Sequence, residues 1–235
     1  QLVDPFGGLE DLLALSLTTP VAPEVSFDDD PLRMMRAARF SSQLSARIAP
    51  ATAEAMTAMA SRIADISAER VRDELVKILS SANPRPGLEA LVDSGIAEFV
   101  LPELPALRLE TDEHAHHKDV YQHTLTVVEQ AIDEEQRRTP GADPDVVLRV
   151  ASLLHDIGKP ATRRFEGGGV TFYHHDVVGA KLAKKRLKAL RFDNDTIDAV
   201  SRLIELHLRF FGYADQAWSD SAVRRYVRDA GSELA

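Results

Sequence analysis

An apolar run that ends in an adjacent histidine and aspartate constrains this chain more than any other stretch. Residues 150–160 are V-A-S-L-L-H-D-I-G-K-P. His155 and Asp156 stand at the end of the apolar segment, just before glycine, lysine and proline interrupt it. A neutral imidazole nitrogen and a carboxylate oxygen are both metal ligands, and a carboxylate can bridge two ions. The stretch therefore predicts a helix end that presents a metal-binding pair.

The histidines are confined to one part of the chain, and all eight lie within residues 114–207. Several fall on or beside different predicted helices, so those helices can aim imidazoles at one centre. The ordinary alternative is that each histidine is a capping or core residue, since metal ligation is the less common role for a single histidine. As a set, together with the H-D-I-G-K stretch, they favour a metal site. The histidines concerned are His123, His155, His174, His175 and His207.

Four short motifs resemble the HD metal-dependent phosphohydrolase superfamily. They are Y-Q-H-T-L from Tyr121, L-L-H-D-I-G-K from Leu153, H-H-D-V-V-G-A from His174, and I-E-L-H ending at His207. The resemblance implies metal ligation by the following residues. The first three positions of the family pattern are matched by His123, His155 and Asp156, and the auxiliary histidines by His175 and His207.

The family's last ligand is an aspartate on a later helix. Asp220 and Asp229 are the late candidates in this sequence, and neither has the expected context, so we expect that ligand to lie after Ala235. The resemblance implies a divalent ion (Mn²⁺, Ni²⁺, Fe²⁺, Zn²⁺ or Mg²⁺) acting on 2′-nucleotides, 2′,3′-cyclic phosphates or damaged RNA ends. Lys159 is a candidate catalytic residue that neutralises the phosphate charge, or else it caps the preceding helix.

Composition favours an α-helical protein. Hydrophobic residues make up 44% of the 235 positions, helix-forming residues are abundant, and aromatic residues are only 6%. The absence of cysteine excludes disulfides and thiolate zinc sites. The sequence shows no membrane span and no signal sequence, so we expect a cytoplasmic protein without a membrane partner. It opens on Gln1, and we expect it to be part of a longer chain.

The net charge of −9 argues mildly against a simple nucleic-acid binder. A total charge can hide a local patch, however, and Lys181–Arg191 carries six basic residues and no acid. This stretch is either a solvated helix face or an RNA-contacting one.

A second basic set follows a run of aspartates in F-D-D-D-P-L-R-M-M-R-A-A-R-F, residues 27–40. Asp30 is the expected N-cap of a helix with Pro31 in its first turn. Arg33, Arg36 and Arg39 then recur every three residues and share one helix face. Acids on a neighbouring helix would satisfy them, or else the face meets a phosphate or a nucleobase.

Three blocks together resemble the bacterial class II tRNA nucleotidyltransferases, a family that includes CCA-adding enzymes and poly(A) polymerases. The blocks are D-P-F-G-G-L-E-D-L from Asp4, D-D-P-L-R-M-M-R-A-A-R-F from Asp29, and A-E-R-V-R-D-E-L-V-K-I-L from Ala68. In that family a neck motif, E-D-x-x-R, hydrogen-bonds the base of CTP or ATP. The matching residues are Asp29, Asp30 and Arg33, with Asp29 in place of the family glutamate, and Arg36 and Arg39 extend the nucleotide-binding set.

The resemblance implies an RNA 3′-end nucleotidyltransferase that adds CCA to tRNA or adds A residues, with ATP, CTP and tRNA or another RNA 3′ end as partners. Its Mg²⁺-dependent chemistry needs a head domain with a glycine loop and a D-x-D pair. No such unit precedes Asp4, so we expect the head to be missing and this chain alone not to polymerise. Two alternatives are a free-standing HD phosphohydrolase and a non-catalytic RNA-binding arm.

The predicted fold is all-α, a helical neck followed by an HD-type helical domain with one small hairpin. The predicted divisions are 1–26 for the end of the head and a connector, 27–110 for the nucleotide- and RNA-binding neck, and 111–235 for an HD domain truncated at its C-terminus. Helices are predicted over 48–66, 68–80, 87–96, 119–137, 143–155, 174–190, 194–208 and 219–229. A linker is predicted at 105–113, and the hairpin turn at Gly167–Gly169.

Overall fold

The computed structural model describes residues 3–108, 119–166, 169–210 and 219–231. Most of the predicted 105–113 linker, three of the histidines and the first two glycines of the predicted hairpin turn lie outside these residues. The helices are α1 Gly8–Leu13, α2 Pro23–Asp29, α3 Leu32–Leu44, α4 Pro50–Met59, α5 Ala68–Leu79, α6 Arg85–Asp93, α7 Ala97–Val100, α8 Val120–Arg138, α9 Val146–Leu154, α10 Lys159–Thr162, α11 His175–Ala189, α12 Asn194–Leu206 and α13 Asp220–Ala230. Three 3₁₀ turns cover Ala60–Asp65, Pro105–Leu107 and His207–Phe210.

Four short strands accompany the helices: β1 Ser16–Leu17, β2 Arg47–Ile48, β3 Arg164–Glu166 and β4 Gly169–Thr171. Within the described residues they form only two-stranded pairs, β1 with β2 in parallel and β3 with β4 antiparallel. The all-α prediction with one small hairpin is therefore confirmed. None of the described helices combines the length and the apolar character needed to cross a membrane.

The chain divides into two compact units. The first comprises residues 1–105 with 132–146, and α3 packs there against α5 and α6. Helix α5 buries one face because its apolar residues recur at helical spacing, and Gly87 lets α6 approach α3 closely. A Cβ on Gly87 would lie 2.6 Å from the carbonyl oxygen of Ala38. The buried apolar residues of α5 are Val71, Leu75, Ile78 and Leu79.

The second unit comprises residues 106–131 with 147–235, and the packing of α11 against α12 is its most extensive helix contact. Helix α9 is apolar nearly all round, and its last six residues are buried, as expected for a core helix. The β3–β4 hairpin follows α10 and connects it to the start of α11. This path places the ends of α9, α11 and α12 in one unit.

Three predicted element boundaries are wrong. The helix predicted over 48–66 is α4 followed by a 3₁₀ turn, because Ile48 belongs to β2 and Pro50 opens the helix. Asp143 does not cap the helix predicted over 143–155, because that helix begins at Val146. The residue before it, Asp145, donates its amide to Glu135 Oε1 at 3.1 Å.

The predicted N-cap of α3 is also displaced by one residue. Pro31 occupies the N-cap position, while Asp30 closes α2. The Asp30 carboxylate still accepts a hydrogen bond at the start of α3, from the amide of Leu32 to Oδ1 at 3.2 Å. The capping interaction survives although the position differs.

Candidate metal centre and nucleotide-contacting face

The histidine–aspartate pair lies in a tight turn between α9 and α10. The amide of Ile157 donates to the Leu154 carbonyl at 3.3 Å, and that of Lys159 to the Asp156 carbonyl at 2.9 Å. Asp156 is buried in this turn, and Lys159 Nζ lies 2.7 Å from its Oδ2. The turn therefore holds one charged carboxylate inside the second unit.

Gly158 fixes this turn against α11. A Cβ at that position would lie 2.1 Å from the carbonyl oxygen of His175 and 2.7 Å from the amide nitrogen of Gly179. Both neighbours are backbone atoms, which cannot move aside as a side chain does. The glycines of the two motifs thus bring His155–Asp156 and His175 together. The sequence pattern indicated Gly158 only as a helix breaker, although its position two residues after the pair was visible.

Three imidazoles are oriented by their own backbone. The Nδ1 atoms of His155, His175 and His207 lie 2.8, 2.8 and 2.6 Å from the carbonyl oxygens of the residues three positions earlier. A carbonyl can only accept, so each Nδ1 carries the proton and donates it. In the neutral ring the lone pair is then on Nε2, which is the arrangement that metal-ligating histidines use.

The Nε2 atoms surround the two oxygens of Asp156. His155 Nε2 is 3.1 Å and His123 Nε2 is 3.9 Å from Oδ2. On the other side, His175 Nε2 is 3.2 Å and His207 Nε2 is 3.9 Å from Oδ1. The potential ligand atoms form two groups that share Asp156, one with His123 and His155 and the other with His175 and His207, and within each group they lie inside 4.8 Å.

The electrostatics of this cluster call for a cation. His175 Nε2 and His207 Nε2 are 3.2 Å apart, so two lone pairs would face each other in neutral rings. A proton or a metal ion between the two nitrogens would remove that repulsion. Burial lowers the pKa of His207 below its usual value, which disfavours the protonated ring there. The donor set of imidazole nitrogen and carboxylate oxygen fits a divalent transition metal.

Asp156 remains ionised in this environment. Burial alone raises the pKa of its carboxyl. Hydrogen bonds from His155 and His175, which form only while those rings also carry a proton on Nε2, and the positive charges of His155 in that state and of Lys159 hold the pKa well below the usual range. The Lys159 ammonium also lies over the Phe172 ring, 5.6 Å from its centroid. Lys159 is thus an ion-pair partner of Asp156 in this structure, a role that the sequence did not indicate.

The late aspartates lie elsewhere in the second unit. Asp229 Oδ2 accepts from Arg209 Nη1 at 2.5 Å, and Asp220 is exposed in the first turn of α13. Among the residues that the structure describes, neither belongs to the two ligand groups.

The aspartate run of the first unit lies at the corner between α2 and α3. Asp29 Oδ2 pairs with Arg33 Nη2 at 3.1 Å, one helical turn away, and Arg33 Nη1 also donates to the Ser26 carbonyl at 3.1 Å. Asp30 pairs with Arg70 of α5 at 3.2 Å and lies 4.0 Å from Arg36. These bonds hold the charged groups in place around the corner.

The three arginines of α3 have different surroundings. Arg33 and Arg36, together with Asp29, line an open groove of about 560 Å³ whose walls include Phe27 and Phe40. Arg39 instead forms a largely buried pair with Glu74 of α5, with Nη1 at 2.8 Å from Oε2. The neighbouring-helix interpretation therefore holds for Arg39, and the ligand-facing interpretation remains for Arg33 and Arg36.

One arginine at this corner, Arg62, had no signal in the sequence. Arg62, in the 3₁₀ turn after α4, pairs with Asp28 and with Asp65, and Arg70 holds Asp30. The sequence could not have indicated that Arg62 reaches Asp28, because the contact depends on how α4 packs on α2.

Two family models match the chain. One, described as the probable RNA and SrmB-binding site of polymerase A, covers residues 47–107. The other, the HD domain, covers residues 120–231. The A-adding tRNA nucleotidyltransferase of Deinococcus radiodurans is 35% identical over 97% of this chain and 51% of its own length. The chain belongs to the bacterial tRNA nucleotidyltransferase family.

Other members of this family agree with the assignment. The CC-adding tRNA nucleotidyltransferase of Thermus thermophilus is 32% identical over 86% of this chain and 46% of its own length. The crystal structure of the Bacillus stearothermophilus CCA-adding enzyme in complex with CTP superimposes with a TM-score of 0.59 at 22% identity, over 97% of this chain and 47% of that one. That likeness shows a common fold. The chain spans about half the length of the curated relatives it matches.

Proposed function

We propose that this chain is the base-reading and RNA-binding part of a tRNA 3′-end nucleotidyltransferase. The observation that carries the proposal is the Asp29–Arg33 pair beside the groove, in a chain whose relatives are named as A-adding and CC-adding tRNA nucleotidyltransferases. Its partners are then tRNA or another RNA 3′ end, ATP and CTP, and its compartment is the cytoplasm. We also propose the sequence division, with the neck at 27–110 and the HD domain at 111–235.

The chemistry of the pair suits cytosine and adenine. A carboxylate accepts from an exocyclic amino group, and a guanidinium donates to a ring nitrogen or carbonyl. Cytosine and adenine each present an amino group beside an acceptor, so one Asp–Arg pair can meet either base. The hydrogen bond from Arg33 to the Ser26 carbonyl fixes the guanidinium before a base arrives, which reduces the entropy lost on binding. Arg36 is the second cation at the groove.

The test of this proposal is nucleotide incorporation. The chain spans about half the length of its curated relatives, and the family it resembles holds its Mg²⁺ in a separate head domain. We therefore expect no incorporation of labelled CTP or ATP into tRNA by the 235-residue chain, and incorporation once it is joined to a family head domain. In the joined protein, Arg33→Ala should raise the KM for CTP and ATP about tenfold and leave tRNA affinity within about twofold.

The matched control is Arg137→Ala, which removes an exposed arginine that pairs with Glu134 on α8. It should change neither parameter. An equal loss of nucleotide and tRNA affinity in Arg33→Ala would show that Arg33 is structural. Polymerisation by the 235-residue chain alone would contradict the account of the active site.

The histidine cluster favours a second activity, an HD-type phosphohydrolase. Four imidazoles and Asp156 would hold the divalent ion or ions, of which Mn²⁺, Ni²⁺, Fe²⁺, Zn²⁺ and Mg²⁺ are all compatible with the donor set. When bound, such an ion would lower the pKa of a coordinated water and so provide a nucleophile for phosphoester hydrolysis. The carbonyl acceptors keep Nε2 directed at the site, and Lys159 neutralises charge beside it. The substrates proposed are 2′-nucleotides, 2′,3′-cyclic phosphates and damaged RNA ends.

Metal titration together with a phosphodiesterase assay tests this second proposal. We expect His155→Ala to weaken Mn²⁺ binding at least tenfold and to abolish hydrolysis of a 2′,3′-cyclic nucleotide. The control is His174→Asn, because His174 is exposed, lies outside both ligand groups and has a positive φ that asparagine tolerates. Unchanged metal affinity in His155→Ala would overturn the site. Metal binding without hydrolysis in the wild type would favour the non-catalytic RNA-binding arm.

A further inference from the structure

Helix α11 carries a row of exposed lysines opposite its buried side, and Lys181 at one end of the row also borders a groove that Asp198 and Glu205 of α12 line. Lys181, Lys185 and Lys188 are exposed, whereas Ala183 and Leu187 of the same helix are buried. At 3.6 residues per turn the three lysines fall within a sector of about 60°, opposite the buried side. We call Lys181, Lys185 and Lys188 the lysine row.

The lysine row has no acidic partner among the described residues, since no hydrogen bond or ion pair involves its three side chains there. Lys184, on the edge of the same face, is different, because its Nζ pairs with Asp198 Oδ1 of α12 at 2.8 Å. Along α11 the positions three and four residues from each member of the row are occupied by apolar residues or by further basic ones. The nearest charges on the helix surface are therefore of the same sign.

Such an arrangement destabilises the helix by itself. Lys181 lies one turn from Lys185, and Lys185 one turn from Lys188, and like charges at these spacings repel. The helix dipole accounts for cations in the last turn only, where Arg186 and Lys188 lie. Lys181 and Lys185 lie before that turn, so the dipole does not explain them. An anion on the row would relieve the repulsion.

We propose that the lysine row is a second RNA-contacting surface, which binds the phosphate backbone without reading the base sequence. Lysine is a point-charge donor suited to phosphate oxygens, and backbone contacts of this kind set affinity rather than specificity. The row concentrates positive charge in a chain whose net charge is −9, so the attraction is local. It lies outside residues 47–107, which the RNA-binding family model covers. The inference rests on the proposal that the chain acts on RNA.

The experiment measures the dissociation constant for tRNA between about 50 and 200 mM salt with the 235-residue protein. The variant is Lys181→Gln/Lys185→Gln/Lys188→Gln, and the control Arg137→Gln/Arg138→Gln/Arg224→Gln changes the net charge equally at exposed positions elsewhere. We expect binding about tenfold weaker in the lysine variant, and a slope of log K against log salt that is shallower by about two to three. The control variant should stay within about twofold of the wild type.

Each result has one meaning. If the lysine variant binds tRNA as tightly as the wild type, and its salt dependence has the same slope as that of the control variant, then the lysine row does not bind RNA. The proposed function is unaffected by that result. An absence of tRNA binding by the wild type overturns the RNA proposal itself, and binding of an acidic protein to the row in its place would identify another partner. Helical circular dichroism and the unfolding midpoint of the lysine variant should stay close to those of the wild type, since the change removes repulsion along the row and loses only the favourable interaction of Lys188 with the helix dipole.

Discussion

The two candidate sites balance charge in opposite ways. At the α2–α3 corner each arginine of the predicted face has a carboxylate within 4.0 Å, Arg33 with Asp29, Arg36 with Asp30 and Arg39 with Glu74. In the metal cluster four imidazoles surround one carboxylate, and two of the rings present lone pairs to each other. Each cation of the first site already has an anionic partner, whereas the donor atoms of the second site are those that a divalent cation would bind.

The sites also differ in what positions them. Side chains from other helices hold the arginines, while backbone carbonyls hold three of the histidines, and a glycine without a side chain sets the turn. A backbone carbonyl has no rotamer of its own, so a side chain that it holds is positioned more rigidly than one held by another long side chain. Four substitutions test this contrast.

The largest effect is expected where the backbone itself is crowded. Gly158→Ala places a Cβ 2.1 Å from the carbonyl oxygen of His175 in α11. Either the turn between α9 and α10 or helix α11 must then move. We expect a loss of about 3 kcal/mol or more in unfolding free energy, measured by urea denaturation. Gly169→Ala, where nothing lies within 4 Å of the added Cβ, is the control and should stay within about 0.5 kcal/mol. Equal effects would show that Gly158 does not fix the turn.

The next effect tests the buried ion pair of the first unit. Glu74→Gln leaves Arg39 without its carboxylate, and the two side chains are only 4% and 14% exposed. Removing one member of a buried pair is expected to cost about 3 kcal/mol by thermal or urea unfolding. Asp73→Asn on the same helix removes a carboxylate that is 53% exposed and should change stability by less than about 0.5 kcal/mol. A small effect of Glu74→Gln would show that the Arg39–Glu74 pair does not stabilise the first unit.

Asp156 is the shared member of the two ligand groups, and its loss tests whether they act together. Asp156→Asn should weaken Mn²⁺ binding about 100-fold, or about 2.8 kcal/mol, because both groups lose their anion. His123→Ala and His207→Ala each remove a ligand from one group and should have smaller effects, measured by calorimetric titration. If His123→Ala matched Asp156→Asn, the two groups would not be distinct.

The smallest effect is expected from the partly exposed carboxylate at the corner. Asp30→Asn weakens the pair with Arg70 and the hydrogen bond from the Leu32 amide, which together should contribute about 1 kcal/mol. Asp29→Asn removes a more exposed carboxylate and should cost less stability, measured by urea unfolding. The reverse order would indicate that Asp29, rather than Asp30, holds the corner together.

Most of the helices were predictable because apolar residues recur at helical spacing, as on α5 with Val71, Leu75 and Ile78. The hairpin was predictable from the glycine run that separates β3 from β4. The β1–β2 pair was not, because two residues carry no period and the pairing joins distant parts of the chain.

For the site, the sequence indicated which residue types were available but not how they are oriented. The grouping around the two oxygens of Asp156 follows from the packing of α11 and α12, and the separation of Arg39 from Arg33 and Arg36 follows from the position of Glu74 on α5. Both depend on contacts between elements far apart in sequence. The role of Gly158 alone had a local signal that could have been used.

The β1–β2 pair closes a loop of the chain, and α2, α3 and the corner between them lie within that loop. The amides of Arg47 and Ala49 donate to the carbonyls of Leu15 and Leu17 at 2.8 and 3.0 Å, and these two bonds fasten the ends of the segment from Ser16 to Ile48. Closing a loop of this length has an entropic cost, and the two backbone hydrogen bonds of the pair offset little of it. We therefore expect the β1–β2 pair to open more readily than the packed helices α3, α5 and α6, and the arginines at the groove to rearrange most freely while the pair is open.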